Sequence, residues 1–133
     1  MSTLVIITEV VPDTANQTLD VRDNGGHVIP VGAEFESAEI IWKLTDPAAA
    51  FNAISDPTNP NPGFSWAGTT PPHFGVPTLD PTSREISLFD NHTGELTKGT
   101  FIYKLCAMMD GTLYSTSVSL PSGTNHNPGI KNN

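Results

Sequence analysis

The residues of this chain that could do chemistry are few and scattered. Cys106 is the only cysteine, so an intrachain disulfide is excluded and a thiolate nucleophile would need His92 or His126 beside it. No motif surrounds Cys106, and nothing near it in sequence would lower its pKa. A small apolar strand residue is its expected role. The four histidines, His27, His73, His92 and His126, include no pair at the i, i+2 or i, i+4 spacing that sets two ligands on one face. Asp20, Asp23 and Asn24 ahead of Gly25 depart from the alternating-ligand calcium loop. A cation would instead require distant carboxylates such as Asp90 and Asp110. Glu34 and Glu36 read as a solvated face leading into a strand, and the paired acids of a glycosidase would need a cleft. Neither a Gly-x-Ser-x-Gly elbow nor a phosphate-cradling glycine loop occurs. No catalytic residue, metal or cofactor is therefore predicted.

One segment stands out by residue type. Asp56 to Ser83 holds seven of the twelve prolines (Pro57, Pro60, Pro62, Pro71, Pro72, Pro77 and Pro81), a density that predicts a loop without regular structure. Yet Phe64, Trp66, Phe74, Val76 and Leu79 recur within it, and a disordered linker would lack such rings. Long ordered loops in compact domains are often functional. Phe64, Trp66, His73 and Phe74 are the candidate ligand-binding residues, as a stacking platform for a sugar or a proline-rich peptide. Their competing role is to anchor the loop on the core.

The elements that must position this loop are strands. Gly99 to Leu120 reads as a hairpin turning at Asp110-Gly111, with Phe101, Tyr103, Leu105 and Ala107 on one face. Ala38 to Thr45 alternates, placing Ile40, Trp42 and Leu44 together. Leu4 to Val11 is nearly continuous in apolar character, as for a strand covered on both faces, by core or by a partner, and Pro12-Asp13 is expected to end it. His27 to Val31 contains Pro30 and is expected at a sheet edge. Arg84 to His92 sets Ile86 and Leu88 on one side. Asp46-Pro47 followed by Ala48, Ala49, Ala50 and Phe51 predicts one short helical turn.

Composition agrees with a β domain that needs no staple. The chain has 133 residues, 37% hydrophobic and only 15% charged, with glycine and proline punctuating it throughout. Its net charge of −8 opposes nucleic acid and anionic membranes. The N-terminal MSTLVIITEVVPD has neither a basic leader nor a cleavage site, so cytoplasm is the expected compartment. One sandwich domain is expected over 1–120, with the long Pro-rich loop at 56–83, followed by a polar tail over 121–133.

Trp42 on an early central strand, and Tyr103 two residues before the inward Leu105, resemble the pattern of immunoglobulin-like domains. The resemblance implies an antiparallel β-sandwich. Leu105 occupies the position that is often cysteine in that pattern, so the chain is similar to disulfide-free members. The length, the β-rich pattern and the dipeptides Asp46-Pro47, Asp56-Pro57 and Asp80-Pro81 also resemble short uncharacterised bacterial proteins grouped as the DP-EP family. That likeness implies no activity and transfers no site residues. The function expected from these observations is a non-enzymatic binding or assembly module. It would meet a protein partner, or a second copy of itself, through an edge strand or the Pro-rich loop. The alternative is a carbohydrate- or small-ligand-binding domain.

Overall fold

The computed structural model describes residues 3–15, 17–22, 28–32, 37–54, 58, 60–67, 70–91, 97, 99–116 and 128–132. They form strands β1 (Thr3–Asp13), β2 (Thr18–Arg22), β3 (Val28–Val31), β4 (Ser37–Leu44), β5 (Ala49–Phe51), β6 (Phe64–Trp66), β7 (Thr78–Leu79), β8 (Glu85–Asp90), β9 (Gly99–Met109), β10 (Thr112–Ser115) and β11 (Gly129–Asn132). The architecture is all-β. One mixed sheet runs β3-β11-β9-β10-β2-β1-β4-β8-β7, with β5 and β6 added to β9, and it curls into a nearly closed barrel.

Strand β9 is the hub, because both of its edges are occupied. The β9–β10 turn places Asp110 at φ 52° and Gly111 at φ 78°, the pair of positive values that a two-residue hairpin twisting with its strands requires. Cys106 donates its N–H to Gly63 O and accepts from Asn52 N–H, while Tyr103 N–H reaches Pro128 O and Thr116 N–H reaches Leu105 O. Alternate residues of β9 therefore bond in opposite directions. Strands β10 and β11 lie end to end along one edge, and β5 and β6 along the other.

The longest parallel pairing lies at β1. This strand pairs antiparallel with β2 through Glu9–Asp13 and parallel with β4 through Thr3–Val10. It thus has a neighbour on each side, although among the described residues Thr3–Thr8 are paired on the β4 side alone. It ends at Asp13, within the expected Pro12-Asp13, with Pro12 still in register with Leu19. Thr45 N–H bonds Val10 O, so even-numbered residues of β1 turn their backbone towards β4. At residue 12, beyond that ladder, a missing N–H leaves the β2 pairing intact. Within the chain only one face of β1 is covered by core, since on the other Val5 is 54% and Ile7 62% exposed.

Three further expectations are corrected. Ala49–Phe51 is strand β5, not a helical turn. Asp46 still caps, its Oδ1 accepting Ala48 N–H at 2.9 Å, but pairing with Ala107–Met109 buries Ala49 and Phe51 on one face and overrides the helix preference of alanine. The Pro-rich segment is not free of regular structure, because it carries β6 and β7 between its prolines. Gly129–Asn132 is no tail; β11 lies between β3 and β9 with Ile130 buried. Strand β3, holding Pro30, does end the sheet as expected. The residues predicted for His27, His92, Glu34, Glu36, Asp56-Pro57 and His126 lie outside the described residues.

Inside the barrel, Ile40, Trp42 and Leu44 face Ile86, Leu88, Tyr103 and Leu105, all essentially inaccessible. The Trp42 indole N–H donates to the Tyr103 hydroxyl at 2.9 Å, which lets two large polar-tipped rings sit in the core without an orphaned donor. Gly63 permits the close approach of the chain entering β6 to the chain leaving β5: a Cβ there would run into the carbonyl oxygen of Asn52.

Candidate functional site

A chain of rings leads from the core to the surface. Trp42 packs on Tyr103 and Phe64, with centroids 5.0 and 5.3 Å away. Phe64 stacks on Tyr103 with an interplanar angle of 11° and meets Trp66 edge-on at 5.1 Å. Trp66 then reaches Phe74 at 4.7 Å. Edge-to-face and offset geometries of this kind suit the ring quadrupoles.

That last contact crosses the seam where the barrel stays open. On one side β6 hangs on β9 through Ser65↔Lys104. On the other, residues 73–79 track the outer edge of β8: Phe74 bridges Asp90, Gly75 N–H donates to Phe89 O at 2.8 Å, and Thr78 pairs with Ser87. No backbone ladder joins the two walls among the described residues. The seam is a groove of about 380 Å³, with Phe64, Ser65 and Trp66 on one wall, Phe74, Gly75, Val76 and Pro77 on the other, and Thr70 between them. Among the described residues no charged side chain lines it. Phe64 and Phe74 are buried, Trp66 is half-buried, and Val76 is 84% exposed at the rim.

Three of the four predicted residues, Phe64, Trp66 and Phe74, thus share this groove. The fourth does not line it. His73 sits behind Phe74, its ring 4.6 Å from Phe74 and 4.9 Å from Phe101, with Nε2 3.4 Å from Asn132 Nδ2. The same amide donates to Thr97 O at 2.8 Å and to Asp90 Oδ1 at 3.1 Å. Asn132 therefore fastens β11 to the end of β8. Sequence reading missed Ser65, Thr70, Gly75, Val76 and Pro77 as site residues; the apolar Val76 beside a glycine and a proline was the available signal.

The far wall is held by Asp80 at the β7–β8 turn. Its Oδ1 accepts the N–H of Arg84 at 2.7 Å and of Glu85 at 2.9 Å, and its Oδ2 accepts the Thr82 hydroxyl at 2.6 Å. The Thr82 bond, with the backbone N–H groups, outweighs burial and holds this carboxyl below the usual aspartate value.

The remaining candidates are separated or inert. Asp90 is buried on β8 beside Asn132, whereas Asp110 is exposed in the β9–β10 turn at the other end of the barrel, so the two cannot share a cation. Cys106 is fully buried. Burial pushes its thiol up, against the opposing hydrogen bond from Ser115 and the charge of Lys104, which disfavours the nucleophilic thiolate. Among the described residues no group of three His, Cys, Asp or Glu side chains could hold a metal, and no helix is long and apolar enough to cross a membrane.

No protein-family model matches the chain, and no curated protein matches it in sequence.

Proposed function

We propose that this chain is a non-enzymatic binding module that takes a neutral, largely apolar ligand into the seam between β6 and residues 74–77. The observation that carries this reading is the groove itself: uncharged, aromatic-floored, with a half-buried indole on one wall and an exposed valine on the other. A carbohydrate platform is the weaker reading. Trp66 stands edge-on to Phe64 and tilted by 54° to Phe74, so the rings present no shared flat face for a pyranose.

A protein is the partner this reading favours. Self-association has its own support, since the outer face of β1 and β8 exposes Val5, Ile7 and Phe89. An immunoglobulin-like relationship rests on the Trp42–Tyr103 pair, although the parallel β1–β4, β2–β10 and β3–β11 neighbours depart from an antiparallel sandwich. DP-EP membership draws less support, because Asp46-Pro47 and Asp80-Pro81 are each explained by a local turn. A cytoplasmic setting accords with the buried, unpaired cysteine.

Intrinsic fluorescence tests the proposal cleanly. Trp42 is 0% exposed, so a solvent-sensitive change reports Trp66. Titration with apolar capped peptides and a glycan panel is expected to give a saturable shift for the peptides. Affinity for the responding peptide, read by calorimetry, should fall in Trp66→Ala while the fold is retained. A panel without any saturable response would overturn the reading.

A further inference from the structure

The open seam is bounded by unused main chain as well as by rings. Ala67 N–H bonds Ile102 O at 2.9 Å and Gly63 O accepts from Cys106 at 3.1 Å. Residues 63, 65 and 67 therefore turn their backbone groups towards β9. Phe64 and Trp66 lie opposite Leu105 and Tyr103 in register, but those two bond the other way. Leu105 is held by Thr116, and Tyr103 N–H by Pro128 O. The N–H and C=O groups of Phe64 and Trp66 consequently face the seam, where no backbone partner meets them among the described residues.

The facing wall makes no ladder with them among the described residues: Gly75 N–H turns away to Phe89 O, Phe74 N–H bonds Pro71 O, and Pro77 has no N–H to offer. A sugar or a small aromatic molecule would leave the β6 groups largely unanswered, and among the described residues the polar side chains in the groove are the hydroxyls of Ser65 and Thr70. Aligned main-chain donors and acceptors are what an extended peptide satisfies.

We propose that the occupant of the seam is an extended, uncharged segment of a partner protein. It adds as a strand to the open edge of β6 through the backbone of Phe64 and Trp66. Its side chains alternate: those turned inward lie over the Trp66 and Phe74 rings and must be apolar, and those turned outward pass Val76. The neutral lining gives no advantage to charge, and the net charge of −8 opposes an acidic segment. This inference rests on the groove-binding reading above and narrows it to one ligand class and one binding mode.

The test uses the full chain and capped, neutral pentapeptides in which Thr alternates with Val, Leu or Phe, each also made with N-methyl groups on the amides of alternate residues. Hydrogen exchange of the Phe64 and Trp66 amides is followed by NMR beside Trp66 fluorescence. At least one unmethylated peptide is expected to slow both amides by about tenfold or more, with one of its two N-methyl registers losing binding. Peptides that bind equally well in every N-methylated form would overturn strand addition and leave the groove reading standing. So would a fluorescence response confined to glycans or small apolar molecules. If neither peptides nor small molecules give a response, both readings fall together.

Discussion

The two tryptophans belong to one chain of rings, joined through Phe64, and serve opposite ends. Trp42 lies in the middle of β4, a strand paired along both edges by β1 and β8; it is inaccessible, and its N–H is answered by Tyr103. Trp66 closes a three-residue strand that, among the described residues, is paired on one edge alone. It is half-buried, and its indole N–H meets no partner among the described residues. The same side chain therefore stabilises the barrel where the sheet is continuous and offers a binding surface where the sheet is open. Position relative to the seam, rather than residue type, decides which role a ring takes.

That contrast can be broken most forcefully at its inner end. Trp42→Ala should cost about 3–5 kcal/mol, since it empties the site on which Tyr103 and Phe64 pack. Urea unfolding read by far-UV circular dichroism measures it, and a loss below 1 kcal/mol would contradict the packing described. Tyr103→Phe should cost about 1–3 kcal/mol. It keeps the ring and removes only the oxygen, so the buried Trp42 N–H is left without an acceptor.

The outer wall is predicted to depend on charge where the inner end depends on packing. Asp80→Ala removes three acceptor bonds from the partly exposed β7–β8 turn, which should lower stability by about 1 kcal/mol at neutral pH. The sign with pH follows from the carboxyl's lowered pKa. Its contribution is fully present above the ordinary aspartate value and fades as pH falls through the lower value of the folded state. Wild type and Asp80→Ala should therefore converge in acid. Parallel stability curves across that range would assign the turn to something other than the carboxylate.

How far the sequence could be read follows the same division. Long alternating strands announced themselves: Ile40, Trp42 and Leu44 share a buried face, as do Ile86 and Leu88, and the Asp110-Gly111 turn forms where its residues require it. Those signals are local, being a period of two and a turn dipeptide. Short strands carry no comparable pattern. Ala49–Phe51 carries a helical composition, Phe64–Trp66 sits among prolines, and Gly129–Asn132 reads as a polar tail; each becomes a strand only because β9 supplies a free edge. The parallel β1–β4 pairing joins residues far apart in sequence and leaves no trace in either strand. For the site, ring content pointed to Phe64, Trp66 and Phe74, but their apposition depends on residues 73–79 tracking β8, which no local signal records. His73 was grouped with them for its ring, yet it belongs to the Asn132 fastening behind the groove.

Val76 gives the smallest effect on the fold and the sharpest division between the two ends. A side chain 84% exposed contributes little to folding, so Val76→Ser should change stability by no more than about 0.5 kcal/mol. If the rim covers a bound segment, the same substitution removes apolar contact that exists only in the complex. Affinity for the best-binding capped peptide should then fall by roughly three- to tenfold, about 0.7–1.4 kcal/mol in binding free energy. Trp42→Ala should show the reverse pattern in a protein that still folds, with a large loss of stability and a smaller effect on binding. Fluorescence titration and urea unfolding on the same preparations place each variant on both axes. Should Val76→Ser instead destabilise the chain by more than about 1 kcal/mol and leave peptide affinity unchanged, the rim would belong to the folded core, and the contrast between the two tryptophans would no longer describe a site.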